Sequence, residues 1–169
     1  MNMKKLYLDF DGVIMNTNLI FDEMIEKLNI DVHDKEALRA FFTRVDFEAV
    51  LSRATPINNS LEQIGELIKS NKFRIKILTH VNSLHEAEVK IAFMKKIYPL
   101  LEVVVVPKTF DKNLMANPKD SILVDDYSPN LVAWEAAGGI GVRFSPKGNG
   151  KGFKTVAELK QLIPMFDEE

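Results

Sequence analysis

Four groups of side chains stand out for what their types could do together. Asp9 and Asp11 flank Phe10 and are followed by Gly12. Thr79 precedes His80 and Asn82. Lys108 and Lys112 follow a run of valines, and Asp125–Asp126 close another apolar run. Each group sits just beyond a stretch that reads as a β-strand, and ligands of open parallel sheets bind beyond the carboxyl ends of the strands. Four carboxylates gathered at one such edge repel each other unless something positive sits among them. A divalent cation with oxygen ligands answers that need, and magnesium suits carboxylates, several waters and a substrate phosphate. A lysine and the Thr79 hydroxyl would serve the other side of a phosphate. Gly12 would let the chain turn sharply and present amides to phosphate oxygens. Each group also has a plainer reading. Asp-x-Asp after a strand is often a turn with Asx hydrogen bonds, and two aspartates before a helix can simply favour its N-terminus.

The elements that must position these groups follow from the pattern of apolar residues. Lys5 to Phe10, Phe73 to Thr79, Leu101 to Val106, Ser121 to Asp125 and Gly139 to Phe144 read as about five strands, the third with four consecutive valines. Such β-branched runs suit strands covered on both faces. Helical stretches lie between them. Ser83 with Glu86 fits a capping box that opens a helix to about Tyr98, which Pro99 stops. Ser128–Pro129 gives an N-cap and a first-turn proline, and Gly138 closes that helix. Thr155 with Glu158 reads as a second capping box, opening a last helix before Pro164. Leu61, Ile64, Leu67 and Ile68 form an apolar helical stripe. Strands alternating with helices predict an α/β domain with a parallel sheet.

Residues 16–55 break that alternation. Phe21, Met24, Ile25 and Leu28 make one helical stripe; Ala37, Leu38, Phe41 and Phe42 make a second after an Asp34 N-cap; Phe47, Val50 and Leu51 make a short third. This is too much for a simple crossover. It predicts a small helical insert, with residues 1–15 and 56–169 forming the α/β core.

Read together, the motifs resemble those of the haloacid dehalogenase (HAD) superfamily of phosphohydrolases. Asp9-Phe10-Asp11-Gly12-Val13 resembles the first motif, Ile77-Leu78-Thr79 the second, Lys112 the third-motif lysine and Ile122-Leu123-Val124-Asp125-Asp126 the acidic fourth. They occur in the right order and span nearly the whole chain. The resemblance implies a HAD-like Rossmannoid fold with a small helical cap. It implies that Asp9 is a nucleophile forming an aspartyl-phosphate, and that Asp11 protonates the leaving alcohol and then activates water. Asp9, Asp125 and the Asp11 backbone carbonyl would hold Mg2+, with Asp126 supporting it through water. Thr79 and Lys112 would bind phosphate oxygens and offset developing charge. Aspartate at position 11 fits the phosphatases: the dehalogenase branch lacks this acid and the ion-pumping ATPases carry threonine there. A narrower similarity, to the 5′(3′)-deoxyribonucleotidase-like branch, rests on Asp125-Asp126-Tyr127-Ser128, Asn130, Gly138-Gly139-Ile140-Gly141, the helical insert and Val106-Pro107 before Lys112. It favours Lys112 over Lys108 and Lys119, and implies nucleoside monophosphates as substrates. The cap residues that would hold a base do not align, so another small phosphorylated metabolite, such as a sugar phosphate, is the alternative.

Composition narrows the classes. The chain has 169 residues, 46% hydrophobic and 27% charged, which fits one soluble domain. No cysteine is present, which excludes disulfides, thiolate catalysis and cysteine metal sites. A net charge of −2 gives no basic surface for a nucleic acid polymer. No apolar run approaches the roughly 20 residues that span a bilayer, and Met1 to Leu8 lack the features of a secretory signal; a cytoplasmic location without a membrane partner is expected. A phospho-accepting switch of the receiver type is a rival from another class. In receivers the acidic pair lies near the N-terminus and the phosphoacceptor ends a middle strand, whereas here the pair comes fourth and the valine strand ends in Pro107. A silent binding protein is disfavoured by the presence of both Asp9 and Asp11. His80 is a candidate for touching substrate, against the plainer reading of a local hydrogen-bonding residue; His33 and His85 read as surface residues. Phe41, Phe42 and Phe47 could stack a base but more simply pack, as Trp134 does. Gly148 to Gly152 lacks the spacing of a phosphate loop.

Overall fold

The computed structural model describes residues 3–167; Met1, Asn2, Glu168 and Glu169, at the outer ends of the expected core segments, lie outside the described residues. Among the described residues six strands form one parallel sheet: β1 (Lys4–Leu8), β2 (Phe73–Val81), β3 (Glu102–Pro107), β4 (Ser121–Asp125), β5 (Ile140–Phe144) and β6 (Lys154–Val156), in the order β3-β2-β1-β4-β5-β6. β1 lies between β2 and β4, with Leu8 opposite both Ile77 and Val124. From β1 the sheet grows through β2 and β3 on one side and through β4, β5 and β6 on the other. The crevice at such a reversal of strand order is where open α/β sheets bind ligands.

Alternation along the central strands sorts the core into two layers. Leu6, Leu8, Ile77, Ile122 and Val124 face a large cluster with Ile64 and Leu67 of α4 (Ser60–Lys69), Met94 of α5 (Leu84–Ile97), and Leu159 and Leu162 near the C-terminus. Tyr7, Leu78 and Leu123 face the opposite way, onto Leu131 and Trp134 of α7 (Ser128–Ala136). Trp134 is fully buried, edge-on to Tyr7 at 5.2 Å between ring centroids, and donates from Nε1 to the Ser121 carbonyl. All five residues of β4 are buried, which fits its middle, Ile122-Leu123-Val124, being apolar without alternation.

Between β1 and α4 the chain forms α1 (Thr17–Lys27), α2 (Lys35–Arg44) and α3 (Phe47–Arg53). Asp34 caps α2 and Asp46 caps α3, each accepting from two backbone amides of the following turn. Phe47 and Val50 are fully buried in the same cluster as Leu6 and Leu8, and Phe21 is ringed by Phe41, Phe42 and Phe47 at 5.2–6.4 Å. The two ends of the segment are tied side by side: Asn16 N donates to Thr55 O, and Thr55 N donates to Asn16 Oδ1.

The sequence reading departs from the structure at the C-terminus. Thr155 does not cap a helix. It lies in a sixth strand, β6, paired with β5 through Arg143, and its hydroxyl donates to Phe153 O. The helical turns start at Glu158, where Gln161 Oε1 accepts from the amides of Ala157 and Glu158 ahead of a short 3-10 turn and α8 (Leu162–Met165). A three-residue strand shows no readable period and exists only through its partner. α7 also starts one residue early, with Tyr127 at the N-cap position, which frees the Ser128 hydroxyl to accept from Arg143 Nη1 at 2.5 Å. Among the described residues no helix is long and apolar enough to cross a membrane.

Candidate active site

The ends of β1 and β4 deliver their acids to one point. Asp9 extends β1 by one ladder bond, its amide donating to Val124 O, and Asp125 is the last residue of β4. Both are buried. Between them stands Lys112, the first residue of α6 (Lys112–Met115), its Nζ 2.8 Å from Asp9 Oδ1 and 2.7 Å from Asp125 Oδ2. Asp125 is held further by Tyr127 N at 2.9 Å and Asn130 Nδ2 at 3.0 Å. Of the three lysines weighed from the sequence, Lys112 alone reaches these acids; Lys108 is exposed at the rim of the cleft and Lys119 is exposed outside its lining.

One ammonium does not balance the charge here. Asp9, Asp125 and Asp126 each present a carboxylate oxygen within 4.8 Å of the others. Burial, then repulsion from Asp125, lifts the Asp9 carboxyl well above the usual carboxylate range, with Lys112 opposing. Burial and Asp125 likewise raise Asp126 to about 6. Burial works against the charge on Lys112, but Asp125 and Asp9 outweigh it and raise its pKa. An all-oxygen acidic set in which Asp9 and Asp126 both resist ionising fits a hard divalent cation, which would favour their charged forms.

Gly12 has φ +78, and a Cβ there would collide with the Asp126 carboxylate and the Asn18 amide. Its amide donates to Met15 O at 2.8 Å. Gly12 thus serves the loop by its turn and its lack of a side chain, and its own N–H closes the loop.

Asp11 points elsewhere. Its Oδ1 accepts from the Thr17 hydroxyl at 2.5 Å and its Oδ2 from Lys90 Nζ at 2.6 Å, outside the cluster formed by the other three acids. Thr79 is fully buried, and its hydroxyl lies 3.1 Å from Lys90 Nζ and 3.3 Å from His80 O, so it backs the cleft rather than lining it. His80 does line the cleft. Its Nε2 lies 2.8 Å from Phe110 O, and burial lowers its pKa. The cleft has a volume of about 330 Å³, and Asp9, Asp11 and Asp126 line it together with Phe21, Phe42 and Tyr127. Phe47 and Phe41, by contrast, only pack.

Sequence reasoning missed Lys90, and read Glu86 only as a capping-box partner of Ser83. Both are buried on α5, with Lys90 Nζ 2.7 Å from Glu86 Oε1, 2.9 Å from His80 O, and near the rings of Phe47 and Phe10. Burial opposes the charge on Lys90, but Asp11 and Glu86 prevail and its pKa is raised. Glu86 Oε2 accepts from Asn82 N at 2.8 Å. The available signal was the 86–90–94 stripe, where charged residues stand at helical spacing on the side that Met94 buries.

No family model matches the chain, and no curated protein matches it. Solved structures do. The chain is similar to YfnB, a HAD-hydrolase from Bacillus subtilis bound to magnesium (TM-score 0.64, 12% identity, 98% of this chain and 99% of that one). It is similar to a HAD-superfamily hydrolase of subfamily IA from Geobacter sulfurreducens (TM-score 0.63, 13% identity, 97% and 100%). It is also similar to a HAD phosphatase from Thermococcus onnurineus (TM-score 0.59, 16% identity, 99% and 99%). At these identities the likeness is one of architecture along the full length, and the chain has the fold of the HAD-superfamily hydrolases.

Proposed function

We propose that the protein is a magnesium-dependent phosphatase that cleaves phosphate monoesters through an aspartyl-phosphate on Asp9, most readily those of nucleosides. The observation that carries this reading is the cluster Asp9–Lys112–Asp125–Asp126 at the switch point of the sheet. Asp9 attacks phosphorus: an Asp9 O–P bond forms, the ester P–O bond breaks, and the departing oxygen takes a proton from Asp11. Water then attacks the same phosphorus, gives its proton back to Asp11, and frees phosphate and Asp9. Lys112 holds Asp9 in place and offsets negative charge. Asp9, Asp125 and the Asp11 backbone carbonyl would hold Mg2+, with Asp126 beside them; when bound, the ion supplies positive charge to the phosphoryl oxygens. Thr79 supports the phosphate side through Lys90, and His80 faces the substrate from the cleft wall.

Residues 16–55 act as the cap of this site and set the leaving group. Phe21 and Phe42 from this segment give the cleft an aromatic wall, and Asn18 and Asp22 give it polar contacts. A leaving alcohol that carries a flat ring, such as the base of a nucleoside, fits that wall. The test is a panel of nucleoside monophosphates, sugar phosphates and p-nitrophenyl phosphate with magnesium chloride. Release from nucleotides that Asp9→Asn abolishes is the expected result. Release from sugar phosphates alone overturns the nucleotide assignment, and no release above the Asp9→Asn background overturns the phosphatase reading.

A further inference from the structure

Lys90 is a fully buried cation that reaches four acceptors: Asp11 Oδ2 at 2.6 Å, Glu86 Oε1 at 2.7 Å, His80 O at 2.9 Å and Thr79 Oγ1 at 3.1 Å. A lysine that only braced its own helix would make the i,i+4 pair with Glu86 in water, where such pairs commonly lie. Here the pair is taken into the interior, where the desolvation of two charges is a cost that attraction between them often fails to recover. Burial on this scale goes with a use for the ammonium beyond Glu86. The geometry shows one: both oxygens of Asp11 are fixed, one by the Thr17 hydroxyl on α1 and the other by Lys90 on α5.

We propose that Lys90 is a positioning residue: braced by Glu86, its ammonium holds the Asp11 carboxyl outside the cluster of the other three acids and in the cleft wall. This rests on the phosphatase reading above and adds to it. It explains how one loop can carry two aspartates with different tasks. Asp9 is pulled into the cluster by Lys112, and Asp11 is pulled out of it by Lys90. Glu86 cancels the excess charge that Lys90 would otherwise bring, and its second oxygen pins the Asn82 turn that follows β2. Thr79 shares the same ammonium, so the two flanks of the site are set by one group.

A double-mutant cycle tests this with p-nitrophenyl phosphate and the monoester panel in magnesium chloride. Lys90→Met should lower turnover by about 100-fold, the scale of a displaced proton-transfer group. In the Asp11→Asn background the same change should cost less than about twofold, because its target is already gone. Glu86→Gln/Lys90→Met removes both buried charges. It should recover the melting temperature lost in Lys90→Met while activity stays low, which keeps the test valid if the single variant folds poorly. Equal losses in the two backgrounds, or wild-type turnover in Glu86→Gln/Lys90→Met, overturn the proposal and leave the phosphatase reading standing. No release by the wild-type chain from any of these esters overturns that reading first, and the role of Lys90 with it.

Discussion

The two sides of the cleft are built on the same device used differently. Lys112 and Lys90 are both buried, and each bridges two carboxylates. Lys112 joins acids from two neighbouring strand ends and so locks β1 to β4 at the switch point. Lys90 joins Asp11 to Glu86 of its own helix, and so ties the loop after β1 to α5. The first knits the cluster that an incoming cation would share; the second keeps a carboxylate out of it. A single lysine could not do both, because the two aspartates of the loop must face different partners.

The comparison breaks most sharply at Lys112. Lys112→Met leaves Asp9 and Asp125 buried without a cation, and should cost roughly 3–5 kcal/mol of stability, read by urea unfolding in the absence of metal, together with all measurable turnover. Lys90→Met should cost less of both, since it leaves one buried acid, Glu86, without a cation rather than two, while Asp11 keeps the Thr17 hydroxyl and stands partly open to water; a larger loss at Lys90 would reverse the ranking. Gly12→Ala comes next. It places a side chain at φ +78 against Asp126, and should cost about 1–3 kcal/mol, with turnover falling because Asp126 is pushed from its place. Melting curves with and without magnesium chloride separate the two sides more gently. Asp126 titrates near 6 when folded, above the ordinary carboxylate value of 3.8, and Asp9 is shifted in the same direction. Without metal, the Asp126 contribution favours the fold below about pH 4 and is lost as pH rises through about 6, and Asp9 acts in the same direction. The cation needs both ionised, so the rise in melting temperature on adding magnesium should be larger at pH 7.5 than at pH 5. Asp126→Asn should flatten that difference, whereas Glu86→Gln/Lys90→Met should leave it in place.

The same contrast explains what the sequence made legible. Asp9, Thr79 and Asp125 could be read because each follows an apolar run, and a strand carries its carboxyl-end residues to a common edge. The parallel sheet followed from the same runs. Lys112 was singled out through resemblance rather than pattern, because nothing local distinguishes it from Lys108. Lys90 escaped, and Glu86 was legible only as a cap, because a glutamate four residues before a lysine is the ordinary signature of a solvent-facing helix, and only the tertiary packing of α5 turns that pair inward. β6 escaped for a related reason: Lys154–Val156 has no period of its own and becomes a strand by pairing with β5. Gly12 was legible as a turn residue, but the bond from its amide to Met15 depends on how the loop closes.

The central claim is that Asp9 accepts the phosphoryl group. Wild-type protein mixed with a nucleoside monophosphate and magnesium chloride, quenched in acid within milliseconds to seconds and mapped by peptide mass spectrometry, tests it most directly. The account predicts a phosphoryl group on the carboxylate of residue 9, absent from Asp9→Asn. Phosphate released with no modified residue at any quench time, or a phosphoryl group on His80 instead, would contradict it.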